Sequence, residues 1–129
     1  MTDMHMKIEL IPIPVTDVDR AKAFYVEQVG FNADHDVRVS PELRFVQLTP
    51  PGSACSIVIG EGITTMQPGS LKGALMVVQD VRVLREELAG RGVLVSEIDE
   101  QPWGTFAYFD DPDGNNWSLQ EPPKGGGQP

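Results

Sequence analysis

Apolar and polar positions in the first half of the chain switch from strand-like to helix-like spacing and back. An apolar run over residues 7–15 contains two prolines, which predicts an irregular or edge strand. Asp17 then stands where a helix N-cap would accept a backbone amide hydrogen, and Gly30 where a helix would end. Between them lies a helical stripe of apolar residues: Ala21, Phe24, Tyr25 and Val29. Three more strands are predicted, over residues 31–39, 43–49 and 54–59.

The second half of the chain repeats these signals in the same order. Residues 74–78 predict a strand, Asp80 a helix cap, and Gly90 and Gly92 the end of that helix. The apolar stripe of this helix is Val81, Leu84 and Leu88. Further strands are predicted over residues 93–98, 105–109 and 116–121. Two short matches, Val15-Thr16-Asp17-Val18 with Val78-Gln79-Asp80-Val81 and Pro50-Pro51-Gly52 with Pro112-Asp113-Gly114, lie 62–63 residues apart.

This repetition predicts an α+β fold of two tandem βαβββ modules, over residues 7–62 and 72–121, within one domain spanning residues 7–121. One helix can cover only one face of a four-stranded sheet, so the other face needs a different partner. We expect the two sheets to form a curved, cupped mixed sheet around a pocket for a ligand. Residues 122–129 have the composition of a flexible tail.

Composition narrows the function classes. The 129 residues carry 19 acidic against 10 Lys and Arg side chains, a net charge of −9, which disfavours nucleic acid as a partner. No apolar run approaches the roughly 20 residues of a membrane helix, and the first six residues lack the layout of a signal peptide. The single cysteine, Cys55, cannot form an internal disulfide. We therefore expect a cytoplasmic protein that does not contact a membrane.

Two sets of motifs, one in each half of the chain, form a recognisable pattern. The first half has Val15-Thr16-Asp17, Ala21, Phe24-Tyr25 and Gly30-Phe31. The second half has Trp103-Gly104, Phe109, the turn Asp111-Pro112-Asp113-Gly114-Asn115, and Trp117-Ser118-Leu119. Together they resemble the two module signatures of the vicinal oxygen chelate superfamily, which includes glyoxalase I, extradiol dioxygenases and bleomycin-resistance proteins. The resemblance covers residues 7–121 and implies the glyoxalase/bleomycin-resistance fold.

Superfamily members with metal chemistry hold a divalent ion with His, Glu or Gln on the first and last strand of each module. The resemblance maps these four positions onto Leu10, Ser56, Gly73 and Ser118. Leucine and glycine offer no donor atom, and a serine hydroxyl is a poor ligand beside imidazole or carboxylate. We therefore expect no metal and no other cofactor.

The superfamily plan also implies which side chains face the pocket. Phe106 and Tyr108 precede the Asp111 turn on the inward face, and Trp103 resembles an aromatic residue that borders the ligand. The expected ligand-binding residues are Leu10, Phe45, Gln47, Ser56, Trp103, Phe106, Tyr108 and Ser118. Trp117, Phe24 and Tyr25 are expected to pack in the core, and Asp111 and Asp113 to accept nearby backbone hydrogens.

The function expected from this set is metal-independent binding of a small organic molecule, aromatic or cationic, such as an antibiotic-like compound that is sequestered. The alternative is an enzyme, a glyoxalase-like lyase or a dioxygenase, with a non-standard metal site. A third interpretation is a dimerisation or regulatory module that binds no small molecule. Resemblance to the superfamily also implies a homodimer.

Overall fold

A computed structural model describes residues 4–124 of the chain. The strands are β1 (Leu10–Pro12), β2 (Asn32–Ser40), β3 (Leu43–Thr49), β4 (Ser56–Glu61), β5 (Ala74–Val77), β6 (Asp99–Gln101), β7 (Gly104–Asp110) and β8 (Asn116–Glu121). The helices are α1 (Val18–Ala23), which continues as a π-helical segment over Phe24–Val29, and α2 (Val81–Gly90). Most of the predicted tail, residues 125–129, lies outside the described residues. No helix in residues 4–124 has both the length and the apolar character that a bilayer crossing requires.

The predicted repeat is confirmed, because both halves build the same four-stranded mixed sheet. Sheet 1 has the order β1-β4-β3-β2 and sheet 2 the order β5-β8-β7-β6. In sheet 1, β1 pairs in parallel with β4, and in sheet 2, β5 pairs in parallel with β8; the remaining pairs are antiparallel. The strands of the described chain thus form two sheets that are not hydrogen-bonded to each other. The α+β class and the glyoxalase/bleomycin-resistance architecture are confirmed.

One hydrophobic core joins the helix-covered faces of both sheets. Val46, Leu48, Ile57 and Ile59 contribute from sheet 1, and Ala107, Phe109, Trp117 and Leu119 from sheet 2. The helix of the first half also contacts the second sheet: the Tyr25 ring lies 6.2 Å from Trp117 and the Phe24 ring 6.1 Å from Phe109. Burial of these aromatic side chains is a large share of the folding free energy.

The helix boundaries follow the signals that predicted them. Asp17 accepts from the Arg20 amide and Asp80 from the Val83 amide, so both cap predictions are confirmed. Gly30 has φ of 101°, the left-handed conformation in which its amide reaches back to the Tyr25 carbonyl oxygen. The π-helical turn before it was not predicted, since periodicity cannot separate 3.6 from slightly wider spacing over six residues.

Two strand predictions were wrong. The strand expected over residues 93–98 is instead β6 at Asp99–Gln101, and Val95 makes only an isolated bridge to Phe109. Val93, Val95 and Ile98 pack against the core without forming a paired strand, whereas Leu94 is exposed. The strand expected over residues 7–15 is limited to Leu10–Pro12, although its position at a sheet edge is confirmed.

Candidate ligand-binding site

Each sheet has a second face that points away from the shared core, here called the open face. Strand register assigns residues to it, because directly paired residues lie on one face and neighbours along a strand alternate. In sheet 1, Leu10 pairs with Ser56, Val58 with Gln47, and Gly60 with Phe45. All of these alternate with core residues. The four ligand-binding residues predicted in the first half, Leu10, Phe45, Gln47 and Ser56, therefore share the open face of sheet 1.

A chain of hydrogen bonds runs across this open face. The Gln47 amide donates to Ser56 Oγ at 3.0 Å, and Ser56 Oγ lies 2.6 Å from Thr49 Oγ1. Thr49 in turn donates to the Asp34 carboxylate. Since Thr49 gives its only hydrogen to Asp34, the Ser56 hydroxyl is the donor to Thr49. The chain fixes the hydroxyl orientations and holds Ser56, which is 4% exposed, in place.

The open face of sheet 2 carries the predicted aromatic residues. Leu75 pairs with Ser118 and Ser118 with Tyr108, whereas Val77 pairs with Gln120 and Gln120 with Phe106. The Phe106 and Tyr108 rings are nearly parallel, 12° apart with centroids 6.2 Å apart. Phe106 is only 6% exposed although it lies outside the core cluster, so Tyr108 is the more accessible ring of the pair.

Trp103 occupies the turn that joins β6 to β7, at the end of this open face. The residue is 61% exposed, and its backbone carbonyl accepts a hydrogen bond of 3.0 Å from the Gln120 side chain. An indole left this exposed gains little from folding, so its contact area is free for a ligand or a partner. In residues 4–124 no hydrogen bond or ring contact joins the open-face residues of sheet 1 to those of sheet 2.

Two carboxylate residues on these faces were missed by the sequence analysis. Asp99 pairs with Phe106 and accepts a hydrogen bond of 2.6 Å from the Tyr108 hydroxyl. It escaped notice because β6 was placed too early in the chain. Asp34 lies at an irregular position of β2, between the paired residues Ala33 and His35, so strand alternation alone does not place its side chain.

The hydrogen bond from Tyr108 changes the ionisation of both partners. It is the main cause that lowers the pKa of Asp99 below its usual value, and a bond from Gln101 adds to the effect. The same contact raises the pKa of Tyr108. Asp99 is therefore an anion and Tyr108 a neutral phenol at neutral pH.

The Asp111 turn is a structural junction between the two halves. Asp111 Oδ1 accepts from the backbone amides of Asp113 and Asn115, as predicted. Its Oδ2 also accepts a hydrogen bond of 2.7 Å from the Tyr25 hydroxyl. The Tyr25 hydroxyl in turn accepts a hydrogen bond of 2.9 Å from the Trp117 indole N–H. Burial, followed by the charge of Asp111, raises the pKa of Tyr25.

Asp113 does not have the local role predicted for it. Its Oδ1 accepts from both the backbone amide and the hydroxyl of Thr16 in the first half of the chain. This contact joins the turn of the second module to the residue that precedes the helix cap of the first. The prediction of bonds from nearby backbone amides was therefore wrong for this residue, because only the tertiary fold brings residues 16 and 113 together.

Residues 7–119 match the family model described as the glyoxalase/bleomycin resistance protein/dioxygenase superfamily. The chain belongs to this superfamily. Its solved relatives include the antibiotic-binding protein TnmS3 from Streptomyces sp. CB03234, which is 38% identical with a TM-score of 0.86, over 95% of this chain and 100% of that one. A second glyoxalase/bleomycin resistance protein from the same source is 40% identical, with a TM-score of 0.79 over 89% of this chain and 100% of that one. The Bacillus subtilis (strain 168) protein YetH, itself uncharacterised, is 29% identical over 92% of this chain and 100% of its own length.

The superfamily positions that hold metal in other members carry unsuitable side chains here. Leu10 pairs with Ser56 in β1 and β4, and the corresponding pair in sheet 2 is Leu75 with Ser118. The equivalent of Leu10 is thus Leu75 rather than Gly73, which corrects the predicted register by two residues. Two leucines and two serines do not fit a divalent ion. In residues 4–124 no group of three or more His, Cys, Asp or Glu side chains is arranged to hold one.

Two surface cavities include residues of the open face of sheet 2. One, of about 500 Å³, includes Tyr108, Asp110 and Asn116 together with Phe24 and Leu94. The other, of about 570 Å³, follows β5 and reaches α2 and the loop at Pro50–Ser53. Of the eight predicted ligand-binding residues, Tyr108 alone lines either of these two cavities. Neither of these two cavities encloses the predicted set of ligand-binding residues.

Proposed function

We propose that this protein binds a planar aromatic small molecule without a metal or other cofactor, and sequesters it as an antibiotic-binding protein does. The observation that carries the proposal is the aromatic surface on sheet 2. Tyr108 is half-buried, and its ring is nearly parallel to that of Phe106. The exposed Trp103 lies in the turn that precedes the strand of both residues. Flat, rigid side chains of this kind contribute contact area at low entropic cost.

A solved relative supports an antibiotic-like small molecule as the ligand. TnmS3, an antibiotic-binding protein, is 38% identical to this chain over the whole length of TnmS3. Fold alone does not decide function within the superfamily, so the proposal depends on the side chains of the site. Those side chains are carbon, hydroxyl and amide groups at Leu10, Gln47, Ser56 and Ser118. Such groups select a ligand by shape and hydrogen bonding rather than by coordination.

The proposed binding unit is a homodimer. Val37, Leu75 and Val77 are apolar residues of the open faces, and they are 50%, 49% and 61% exposed. Covering this surface with a second copy would remove apolar area from water and turn the accessible open faces into closed pockets. Sedimentation equilibrium at micromolar concentration tests this part, and a purely monomeric protein contradicts it. We also propose that the protein acts in the cytoplasm.

Binding is tested with acridine, a neutral planar tricycle at pH 7.5, by isothermal titration calorimetry. Trp103→Ala is expected to weaken binding at least tenfold, about 1.4 kcal/mol, because it removes the exposed ring at the edge of the site. Val83→Ala is the matched control, since Val83 is also apolar and 55% exposed but lies on α2. Unchanged affinity in Trp103→Ala removes Trp103 from the site.

Metal independence is tested separately, by elemental analysis of protein purified without chelators and by titrations with and without EDTA. We expect substoichiometric metal and the same acridine affinity in both titrations. Stoichiometric nickel, zinc, iron or manganese would instead favour an enzyme, a glyoxalase-like lyase or a dioxygenase with ligands outside the superfamily positions. Failure of the protein to bind any planar aromatic compound would favour a regulatory or dimerisation module.

A further inference from the structure

A carboxylate and a phenol lie together at one end of the open face of sheet 2. Asp99 of β6 pairs with Phe106 of β7, and the Tyr108 hydroxyl donates to Asp99 Oδ2 at 2.6 Å. The Gln101 amide donates to Asp99 Oδ1 at 2.8 Å. Trp103 stands two residues further along the chain, in the turn after β6. The carboxylate and the phenol thus border one surface, and the exposed Trp103 lies in the turn at its end.

The Tyr108 hydroxyl hydrogen and one Gln101 amide hydrogen already bond to the Asp99 carboxylate. A phenol has one hydrogen, and Tyr108 gives it to Asp99, so its oxygen can only accept from a ligand. Gln101 directs one amide hydrogen at the same carboxylate. Asp99 retains lone pairs on both oxygens. The polar atoms that a ligand would meet at Asp99 and at the Tyr108 oxygen are therefore acceptors.

The negative charge of Asp99 has no cationic partner among the described residues. Within residues 4–124 no lysine or arginine forms an ion pair with it, although Glu100, the next residue, pairs with Arg82. The Tyr108 and Gln101 hydrogen bonds lower the pKa of Asp99, so Asp99 keeps its charge to a lower pH than an ordinary carboxyl group does. A net charge of −9 on the chain adds a field of the same sign.

The aromatic rings beside Asp99 favour the same kind of ligand. The face of a tyrosine or tryptophan ring attracts a cation, and this attraction adds to that of a nearby carboxylate. Phe106 fixes the orientation of Tyr108 by parallel packing, so the ring is preorganised. An anionic or acceptor-rich ligand would instead face unpaired acceptors and like charge, which costs binding free energy.

We propose that Asp99 is a specificity-determining residue and that the ligand of this protein is a planar aromatic cation bearing an N–H donor. The ammonium or aminium group would donate to Asp99 and the Tyr108 oxygen, while the ring system contacts Tyr108 and Trp103. This inference rests on the proposed aromatic-binding function and adds to it the charge of the ligand.

The test compares three tricyclic probes of similar shape at pH 7.5: 9-aminoacridine as the cation, acridine as the neutral form, and anthracene-2-carboxylate as the anion. Affinities are measured by calorimetry on the full-length protein. We expect the affinity to be highest for the cation, lower for the neutral probe and lowest for the anion. The affinities for the cation and the neutral probe should differ at least tenfold. Asp99→Asn keeps an oxygen that accepts from Tyr108 but removes the charge, and should weaken cation binding at least tenfold while acridine affinity stays within twofold.

Glu100→Gln is the matched control, because it removes the same unit of charge from the adjacent residue on the opposite face of β6. It should leave the affinity for all three probes within twofold. Equal weakening of cation binding by both variants would show that only the overall field acts, and would overturn the role of Asp99. Acridine binding without preference for the cation overturns this inference and leaves the proposed function standing. Absence of binding for all three probes overturns both.

Discussion

The buried hydroxyl of Tyr25 is expected to be a main link between the two halves of the chain. Tyr25→Phe deletes this one oxygen and keeps the ring, which is fully buried and packs 5.5 Å from Phe31. The change removes the 2.7 Å hydrogen bond to the Asp111 carboxylate and leaves the Trp117 indole N–H, in a residue 3% exposed, without its acceptor.

The magnitude follows from the two contacts. A hydrogen bond to a charged group contributes about 1.5–3 kcal/mol, and a buried donor left unpaired costs about 1–3 kcal/mol. Asp111 keeps its bonds from Asn115 and Asp113, so its own desolvation is largely compensated. We therefore expect Tyr25→Phe to lower the free energy of unfolding by about 3 kcal/mol, a large fraction of the roughly 5–15 kcal/mol typical of a domain.

Urea unfolding followed by far-ultraviolet circular dichroism, at one protein concentration, measures this loss. The control is Tyr108→Phe, the same change at the only other tyrosine of the chain. Its hydroxyl bonds Asp99 on an accessible face, so we expect a loss below about 1 kcal/mol. If Tyr25→Phe costs no more than Tyr108→Phe, the Asp111 turn does not hold the halves together as described.

Alkaline pH gives a second readout of the same residue. Burial and the charge of Asp111 raise the folded-state pKa of Tyr25 above its ordinary value near 10. The stabilisation is therefore complete below pH 10 and is lost as the pH rises, because the unfolded chain releases the proton first. Wild-type unfolding free energy should fall by up to about 1.4 kcal/mol per pH unit above pH 10, and this component should be missing in Tyr25→Phe.

Two further predictions concern sheet 1 and its helix. Gly60→Ala should lower the free energy of unfolding by at least about 2 kcal/mol in urea titrations, because the new Cβ would lie 1.9 Å from the Arg44 carbonyl oxygen. Gly90→Ala, where nothing lies within 4 Å, should be neutral or stabilising, and similar losses in both would refute the steric argument. Asp36 bonds Arg44 and Lys22, and its pKa is lowered chiefly by Arg44. Asp36→Asn should therefore cost about 1 kcal/mol at pH 7 and progressively less below pH 4, because the Asp36 carboxyl of the unfolded wild-type chain then binds a proton before that of the folded chain; a loss independent of pH would contradict this.

The sequence determined the repeated βαβββ plan because helix caps, glycine stops and apolar periodicity are local signals. Asp17 and Asp80 cap their helices as expected, and β3 and β8 have the predicted bounds. The inward position of Tyr108 was implied by the superfamily resemblance, and the strand register places it, like Phe45 and Gln47, on an open face. Strand alternation has a fixed period of two, so one correct anchor fixes the face of the other side chains.

Only the tertiary structure decided which distant residues meet. A strand was predicted over residues 93–98, yet Val93, Val95 and Ile98 pack on the core and the paired strand begins at Asp99. The contacts of Asp99 with Tyr108 and of Tyr25 with Asp111 depend on sheet register and on packing between the halves. Hydrogen bonds between residues far apart in sequence leave no periodic trace, and for that reason the charged group proposed here to select the ligand could not be found from the sequence.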